Sequence, residues 1–454
     1  MSISDKIAKS VFWGSLIVTG LGTSFLYGVV AYWKDLPPVP AMQEIYTQVR
    51  LGLDVDVFGS KYKNHLQPNR GQGDGVVTNK TDDDSLVLMV GFFDSENQAR
   101  LVERDGTVAH RWSLDYFEHF PAEDQRYCDV DSSLWVDTHG ALVTEAGELL
   151  FNYELCGTVK LDQCGSVMWA ISDDTHHSMT RAEGGGYWTL GRYVWDPSEE
   201  PDRFPPFSTT GSQDVIEEDT IMRISEDGEI LEEISIPVLM RESGLLGLLT
   251  ATGVSFKDTD SGRGELVHSN KLDELPESLA DAYPLFDAGD LAISMRQLNL
   301  VMVLDGETRE VKWHQVGPWL RQHDPEFRPD GRISIFNNNV FGDAYVDDQT
   351  DIKLPFTTNI IAIDPVTSET EVIFGERPGQ EMLSVIRGQH ELLPDDGMII
   401  AEFDAGRVLE VDASGDVVWE YVNRFDDDHV GEIRNANVLP RSYFTDGLPG
   451  TSCQ

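Results

Sequence analysis

Apolar and polar residues alternate with a period of two in six segments that share one layout. Each segment has the pattern of strand, tight turn and strand, with Asp-Gly or a similar pair at the turn. The segments are ARLVERDGTVAHRW, GTVKLDQCGSVMW, TIMRISEDGEILEEI, LNLVMVLDGETREVKW, NIIAIDPVTSETEVIF and GRVLEVDASGDVVWEY. Their closing positions, from Trp112 to Trp419, recur every 45 to 80 residues. Six hairpins at this spacing predict an all-β, six-bladed β-propeller.

A histidine precedes the first strand of most of these units. The five are His139, His177, His268, His323 and His390. The first strand of a propeller blade lines the central channel, so we expect these histidines to converge at one mouth of it. A histidine before a strand can also serve only to cap a loop or to bond a neighbouring blade. Their common position in the repeat favours a site.

The N-terminus carries a separate signal. Residues 10–33 contain no charged side chain. This stretch is long enough to cross a bilayer as a helix. Lys6 and Lys9 precede the stretch, which favours a cytoplasmic N-terminus and an exported remainder. Val29-Val30-Ala31 resembles a signal-peptidase site, but the stretch is longer than usual for a cleaved signal. We therefore predict a single-pass anchor in the inner (cytoplasmic) membrane with the propeller on the periplasmic side.

The predicted organisation has four parts. Residues 1–36 form the membrane anchor, 37–86 a linker with a short helix over 42–54, 87–440 the propeller, and 441–454 an irregular tail. A stripe of small residues in the anchor is suited to packing against another helix, so an oligomer is compatible with the sequence. The stripe consists of Gly20, Ser24 and Gly28.

Composition narrows the possible partners. The 454 residues include 79 acidic and 34 basic side chains, a formal net charge of -45. Nucleic acid is excluded as a partner because binding it requires basic patches. The acidic runs at 82–84 and 426–428 lack the spaced ligands of a calcium loop, and no cysteine and histidine spacing indicates zinc. We therefore expect no metal and no cofactor.

Four cysteines fit an exported protein. Cys128, Cys156, Cys164 and Cys453 allow three complete pairings, and their spacing does not select one of them. An oxidising compartment favours at least one disulfide.

Roughly residues 90–440 of the chain resemble a known family, most strongly over residues 260–340. Residues 287–313 (DAGDLAISMRQLNLVMVLDGETREVKW) are followed by QHDPEFRPDGRISIFNNN. Together they resemble the bacterial arylsulfotransferases, which are six-bladed propellers. The family's S-x-R-x-x-N strand, Gln-His pair and asparagine-ended strand match, and His268-Ser269-Asn270 and His176-His177 match its upstream elements. The matched residues of the first set are Ser294, Arg296, Asn299, Trp313, Gln322, His323 and Asn337.

The resemblance implies transfer of a sulfuryl group from an aryl sulfate to a phenol, without a nucleotide sulfate donor. His323 is then the nucleophile and forms a sulfohistidine, and Arg296 binds the sulfate oxygens. His177 and His268 hold those oxygens or move the phenolic proton. The implied substrate-binding residues are His390, Asn270 and Asn299.

The chain also departs from the family. Residues 271–284 carry an insertion, and the usual N-terminal β-domain is replaced by the apolar stretch and linker. A hydrolase with water as acceptor remains an alternative. So does a non-enzymatic, membrane-anchored docking platform, which predicts dispersed or ion-paired histidines and arginines. Four aromatic residues are candidates for holding a phenyl ring, but a place in the blade core is the more common role for such residues: Tyr187, Trp188, Trp195 and Phe207.

Overall fold

The computed structural model describes residues 3–34, 36, 37, 42, 62, 65–120, 128, 130, 132–195, 200, 216–249, 264–340, 357–451 and 453. The chain divides into two units, residues 1–64 and 65–454. In the first unit, helix α1 (Ile3–Trp33) contains the apolar stretch Val11–Tyr32, whose 22 residues could span a bilayer. The short helix predicted over 42–54 lies outside the described residues, apart from Met42.

The second unit is a ring of six four-stranded antiparallel sheets, as predicted. Blade 1 joins β28 (Ile433–Leu439) to β3 (Leu86–Phe93), β4 (Glu96–Val102) and β5 (Val108–Ser113). Blade 2 has β6 (Thr138–Val143), β7 (Leu149–Tyr153), β8 (Gly157–Leu161) and β9 (Val167–Ile171). Blade 3 has β10 (His176–Arg181), β11 (Tyr187–Trp195), β12 (Ile216–Ile224) and β13 (Ile230–Ser235).

The other three blades repeat the arrangement. Blade 4 has β15 (Ser269–Glu274), β16 (Leu291–Met295), β17 (Leu300–Leu304) and β18 (Val311–Val316). Blade 5 has β19 (His323–Phe327), β20 (Ile333–Asn337), β21 (Asn359–Ile363) and β22 (Thr370–Phe374). Blade 6 has β23 (Gln389–Leu392), β24 (Met398–Glu402), β25 (Arg407–Val411) and β26 (Val417–Val422). The six hairpins predicted from the sequence are the two outer strands of the six blades.

Short strands, helices and 3₁₀ turns lie outside the four-stranded blades. Strand β14 (Gly264–Glu265) pairs with β12, and β27 (His429–Gly431) lies between blades 6 and 1. The described helices of the ring are α2 (Tyr116–His119), α3 (Ile236–Glu242), α4 (Leu246–Leu249) and α5 (Glu277–Ala280), the last within the insertion. Four single 3₁₀ turns follow or precede strands: Ser133–Trp135, Arg296–Leu298, Phe403–Ala405 and Arg441–Tyr443.

The ring closes because its last long strand pairs with its first. Strand β28 is antiparallel to β3, with Ala436 opposite Met89, so that blade 1 is built from both ends of the propeller sequence. Two strands within the predicted linker also join the ring: β1 (Leu66–Pro68) pairs with β27, and β2 (Gly75–Asn79) extends blade 6 by pairing with β26.

The core lies between neighbouring blades, since each sheet buries both faces. Leu88, Trp112 and Phe151, for example, belong to one buried cluster shared by blades 1 and 2. The tryptophans that close the repeat tie blades together. Trp112 donates from Nε1 to the carbonyl of Asp162 at 3.2 Å, and Trp419 donates likewise to Arg104 at 3.0 Å. Each acceptor is in the outer turn of the next blade, which explains why this tryptophan recurs.

Two disulfides are present, Cys128–Cys156 and Cys164–Cys453. The second connects blade 2 to the C-terminal tail across 289 residues of sequence. It therefore fixes the segment that follows β28 after the ring has closed.

We expect the double variant Cys164→Ser/Cys453→Ser to fold but to unfold at a lower temperature. Closing a loop this long lowers the entropy of the unfolded chain, an effect worth at most about 5 kcal/mol. Thermal unfolding followed by circular dichroism measures the difference. A reducing agent should lower the unfolding temperature of the wild type more than that of the variant. Equal unfolding temperatures of the two oxidised proteins would contradict the expectation.

Candidate active site

The first strands of the six blades surround a central cavity of about 470 Å³, within the usual range for small-molecule sites. All six blades contribute polar side chains to its wall near the start of these strands. In blade order from blade 2 to blade 1, they are His139, His177, Asn270, His323, Arg387 and Arg434. The repeat therefore brings four histidine-containing segments, around His139, His177, His268 and His323, to one channel.

The backbone is irregular where these side chains enter the channel. The register shifts at the start of five of the first strands: β6, β10, β15, β19 and β28. His177, His268, Asp324 and Arg387 all have φ between 50° and 58°, which is rare for residues with a side chain. Bulges of this kind re-aim side chains and are frequent beside active sites.

Gly140 shows how tightly these bulges pack. Its φ is +41°, and a Cβ atom at this position would lie 1.8 Å from the carbonyl oxygen of His177. Glycine is thus required for blade 2 to approach the bulge of blade 3, and the approach sets the side chains of His139 and His177 beside each other. Their ring centroids are 4.5 Å apart.

The tautomer of His323 is fixed by Asn338. The Asn338 Nδ2 group donates to the carbonyls of Ser384 and Arg387, at 2.8 and 2.7 Å. Its Oδ1 atom is therefore the acceptor for Nδ1 of His323, at 2.7 Å, so Nδ1 carries the proton. The lone pair is left on Nε2, which is buried and has no hydrogen-bond partner among the described residues.

His323 is also held neutral. Burial lowers the pKa of its imidazole to about 3, and the positive charge of Arg296 adds to the effect. The side chain is 4% exposed. At neutral pH it consequently presents an unprotonated nitrogen, which is the form of histidine that can attack an electrophile.

A chain of hydrogen bonds fixes the tautomer of His177 in the same way. Nε2 of His176 lies 3.0 Å from the carbonyl oxygen of Gly191 and must donate to it. Neutral His176 then accepts at Nδ1 from Nδ1 of His177, at 2.8 Å, which leaves the lone pair of His177 on Nε2. Burial lowers the pKa of His176 to about 4 and that of His177 well below its ordinary value.

His268 and Arg296 form a second pair beside His177. Arg296 lies in the 3₁₀ turn after β16, and its Nη2 donates to Nδ1 of His268 at 3.4 Å. Its backbone N–H donates to the His268 carbonyl at 3.0 Å. The rings of His268 and His177 are 5.1 Å apart. The four residues implied as catalytic thus form one continuous cluster, with His323 within electrostatic reach of the other three.

Glu154 is a site residue that the sequence does not reveal. Its carboxylate lies in the turn after β7, 3.5 Å from Nε2 of His139 and 3.6 Å from Nδ1 of His177. Burial raises its pKa to about 7. Nothing distinguishes this glutamate from its many neighbours in an acidic chain until the fold places it between two histidines.

The three residues implied as substrate-binding contact the backbone segment that carries His323. Oδ1 of Asn299 accepts from the N–H of Arg321 at 2.7 Å, and Nδ2 of Asn270 donates to the Gln322 carbonyl at 2.8 Å. Nδ1 of His390 lies 3.1 Å from the carboxylate of Asp324. Of the three, Asn270 lines the cavity, whereas His390 packs on Ser334 and Asn299 lies in a turn. Each therefore contacts a residue within two positions of His323 in sequence.

Two arginines at the channel are neutralised by acidic partners. Arg387 donates to Asp137 at 2.6 Å, and Arg434 forms an ion pair with Glu432. Arg434 sits on β28, the first strand of blade 1, where the sequence repeat has no histidine. The position could have been identified from the repeat by assigning the C-terminal strand to the first blade.

Two groups have the spacing of metal ligands: His139, Glu154 and His177, and also His65, Asp137 and Glu432. In the first, Nδ1 of His177 is committed as a proton donor to His176. In the second, Arg434 bonds both His65 and Glu432. Because ligand atoms of both groups already take part in these hydrogen bonds, the residues fit a proton-transfer network better than a metal-binding site.

The candidate aromatics are placed in the blades. Tyr187, Trp188 and Trp195 are buried, and Trp188 donates to Glu274 at 2.7 Å. Phe207 lies outside the described residues. Phe327 and Tyr443 line the cavity instead.

Comparison with known proteins agrees with this arrangement. The sequence model of the family described as Arylsulfotransferase (ASST) matches residues 134–424, well over half of the chain. The chain belongs to this family. No curated protein matches this ASST-family chain.

Solved structures resemble the chain only distantly. A Bacteroides caccae protein of unknown function is 13% identical with a TM-score of 0.46, covering 79% of this chain and 99% of its own. An inactive virginiamycin B lyase variant from Staphylococcus aureus, bound to quinupristin, is 10% identical with a TM-score of 0.37, covering 78% and 87%. Hydrazine synthase from Kuenenia stuttgartiensis is 11% identical with a TM-score of 0.39, covering 76% and 80%. At these TM-scores none informs the function of the ASST-family chain.

The hydrogen bond from His323 to Asn338 predicts a spectroscopic result. In protein labelled with ¹⁵N-histidine, His323 should remain neutral and protonated at Nδ1 between about pH 5 and 8, because burial lowers its pKa to about 3. The Asn338→Ala variant should populate both neutral tautomers. Assignment by loss of the signal in His323→Asn provides the control. A charged His323 in the wild type above about pH 5 would be inconsistent with this prediction.

Proposed function

We propose that this protein transfers a sulfuryl group from an aryl sulfate ester to a phenolic acceptor, with a sulfohistidine at His323 as the intermediate. The observation that carries the proposal is the Asn338–His323 hydrogen bond of 2.7 Å, which leaves a neutral Nε2 lone pair in a buried channel. Membership of the ASST family supports the same reaction.

In the first half-reaction, Nε2 of His323 attacks the sulfur atom of the ester. An N–S bond forms, the S–O bond to the aryl group breaks, and the bonding electrons leave with the phenolate oxygen. The carboxyl of Glu154, protonated in the resting state, gives that oxygen a proton. A pKa of about 7 suits Glu154 to hold this proton at neutral pH.

The second half-reaction reverses these roles. The acceptor phenol passes its proton to Nε2 of His177, and its oxygen attacks the sulfur of the sulfohistidine. The carboxylate of Glu154, 3.6 Å from Nδ1 of His177, stabilises the imidazolium formed. The N–S bond breaks and its electrons return to Nε2 of His323. The proton then moves from Nε2 of His177 to the carboxylate of Glu154, so the enzyme regains its starting state.

Arg296 and His268 are assigned to the sulfuryl oxygens. A guanidinium offers rigid donors and a fixed positive charge, which stabilise negative charge on the oxygens during transfer. The contact between Nη2 of Arg296 and Nδ1 of His268 holds the two side chains together at 3.4 Å. No metal takes part in this scheme, and positioning with charge complementarity supplies the catalysis, as in phosphoryl transfer.

For Asn270, Asn299 and His390 we propose an effect on substrate through the position of His323. Each bonds one of the residues 321, 322 and 324, and together with Asn338 they restrain the segment that carries the nucleophile. A displacement of about 1 Å at a reacting atom can lower a rate by two orders of magnitude.

We also propose that α1 remains attached as a single-pass anchor in the inner membrane, with the propeller in the periplasm. The uncharged 22-residue stretch supports the anchor, and the two disulfides support an extracytoplasmic location.

The transfer reaction is tested with the full chain in detergent, a chromogenic aryl sulfate and added phenol. We expect phenol-stimulated release of the chromophore, reduced by roughly 10³-fold or more in His323→Asn because the nucleophile is lost. Mass spectrometry of the wild type with donor alone should detect a sulfuryl adduct on His323. His177→Asn should reduce transfer by roughly 10²- to 10⁴-fold.

Other outcomes discriminate between the alternatives. Release that is independent of phenol would identify a sulfatase. Absence of turnover with a panel of donors, in protein shown to be folded, would favour the docking platform. His314→Asn, a change at a histidine on the outer strand β18, is the matched control and should leave transfer unchanged.

The anchor predicts a fractionation result. Because a spanning helix inserts almost irreversibly, the expressed full chain should stay in the membrane pellet after extraction with alkaline carbonate. A variant in which Leu16, Leu21 and Leu26 are replaced by aspartate should lose this property, since charges at the centre of a span are costly. Full release of the unaltered chain by carbonate would rule out a spanning anchor.

A further inference from the structure

The central channel has two chemically different halves. One half carries the histidines and arginines described above. The other is lined by acidic residues on the continuing first strands of blades 4 to 6, together with one lysine: Lys271, Asp273, Asp324, Glu326 and Glu391. Glu326 is three residues along β19 from His323, hence about 10 Å along the strand.

The charges of the acidic half do not balance. Lys271 pairs with Asp324 at 3.0 Å and with Glu326 at 3.1 Å, so one ammonium group serves two carboxylates. Asp273 accepts a hydrogen bond from the backbone N–H of Phe327 at 3.2 Å. The carboxylate of Glu391 forms no ion pair or hydrogen bond with any residue in the described part of the chain. Arg181, at the rim, is paired with Glu226 at 3.0 Å.

An independent feature of the same wall is an unsatisfied amide. Asn435 is 8% exposed, lines the cavity, and its Oδ1 has no hydrogen-bond partner among the described residues. The backbone N–H of the next residue, Ala436, donates to Oε1 of Gln389 at 2.9 Å, which places Asn435 beside β23, the strand that carries Glu391. Asn270 adds a second orphaned Oδ1, whose orientation is fixed because its Nδ2 donates to Gln322.

Three of these groups share one property: Oδ1 of Asn435, Oδ1 of Asn270 and the carboxylate of Glu391 are hydrogen-bond acceptors without a donor among the described residues. A buried acceptor left unpaired costs free energy, and a ligand with several N–H donors and a positive charge would satisfy it. Burial raises the pKa of both Glu326 and Glu391 to about 8, because the one nearby ammonium group, that of Lys271, does not offset the desolvation of these carboxyl groups.

We propose that this acidic half of the channel binds an ammonium group, so that the acceptor is a phenol carrying a protonated amine. The proposal rests on the proposed function, since it places the phenolic oxygen at His323 and the amine beside Glu326 and Glu391. The 10 Å strand separation matches a phenol with a short aminoalkyl arm. The net charge of -45 attracts such a cation toward the protein, whereas it repels an anionic acceptor.

The test uses three acceptors with the same phenol ring and different tails: tyramine, neutral 4-ethylphenol and anionic 3-(4-hydroxyphenyl)propionate. With the full chain in detergent and 4-nitrophenyl sulfate as donor, kcat/KM should be about tenfold or more higher for tyramine than for 4-ethylphenol, and lowest for the anion. In Glu391→Gln the ratio of tyramine to 4-ethylphenol should fall to near one. The ratio is internal to each preparation, so partial misfolding does not change it.

Glu307→Gln is the matched control, because Glu307 is exposed in the outer turn of blade 4 and the charge change is the same. It should keep the wild-type ratio. Equal kcat/KM for tyramine and 4-ethylphenol in the wild type would overturn the ammonium site while leaving the transferase intact. So would a preference that Glu391→Gln does not alter.

Calorimetric titration without donor separates the two proposals. Tyramine should bind the wild type more tightly than 4-ethylphenol, and Glu391→Gln should remove the difference. If no acceptor supports transfer but tyramine still binds selectively, the ammonium site stands and the proposed reaction fails. Binding of Ca²⁺ with no selectivity for the amine would instead identify the carboxylates as a cation site and overturn the proposal.

Discussion

The pairing of β28 with β3 closes the ring, and the site depends on that closure. Each sheet of the propeller buries both faces against its neighbours, so an open ring would expose two apolar sheet faces in blades 1 and 6. Closure also completes the channel wall, since β28 carries Arg434 and Asn435. The tail that follows is fixed by Cys164–Cys453. A break at this seam would therefore weaken both the fold and the channel, because the same strand contributes to each.

Repetition supplies the site with its histidines, and departures from regular β-structure give those side chains their orientation. In a regular first strand, successive side chains would point to opposite faces of the sheet. The bulges at His177, at Asn270 and at Asp324, next to His323, allow consecutive residues to face the channel region. Such backbone costs free energy, of order 1–3 kcal/mol for a residue held in a sparsely populated conformation. Bonds such as Asn338–His323 and Asn270–Gln322 offset that cost by holding the bulged segments in place.

Local patterns predicted most of the fold, because alternation and turn residues act within one hairpin. The ring of six blades and the convergence of histidines followed from the repeat itself. The partners that decide the chemistry are not local. Asn338 owes its orientation to carbonyls 46 and 49 residues away, and Glu154 reaches His177 across a blade interface. The pairing of Cys164 with Cys453 likewise depends on where the closed ring leaves the tail. In the run Asn337-Asn338-Asn339, the sequence does not distinguish the asparagine that bonds the nucleophile from the other two.

Burial explains why one channel can contain both a neutral nucleophile and carboxyl groups that keep their protons near neutral pH. Desolvation disfavours every charged form, so it lowers the pKa of His323 to about 3 and raises those of Glu326 and Glu391 to about 8. At neutral pH the same physical effect thus keeps imidazoles unprotonated at one end and carboxyls partly protonated at the other. Ionisation of the acidic end requires a cation. A cationic acceptor would provide that charge at the acidic end, while its phenol lies at the end where the histidines are neutral. Desolvation would thus favour binding of the amine at one end and attack by a neutral imidazole at the other.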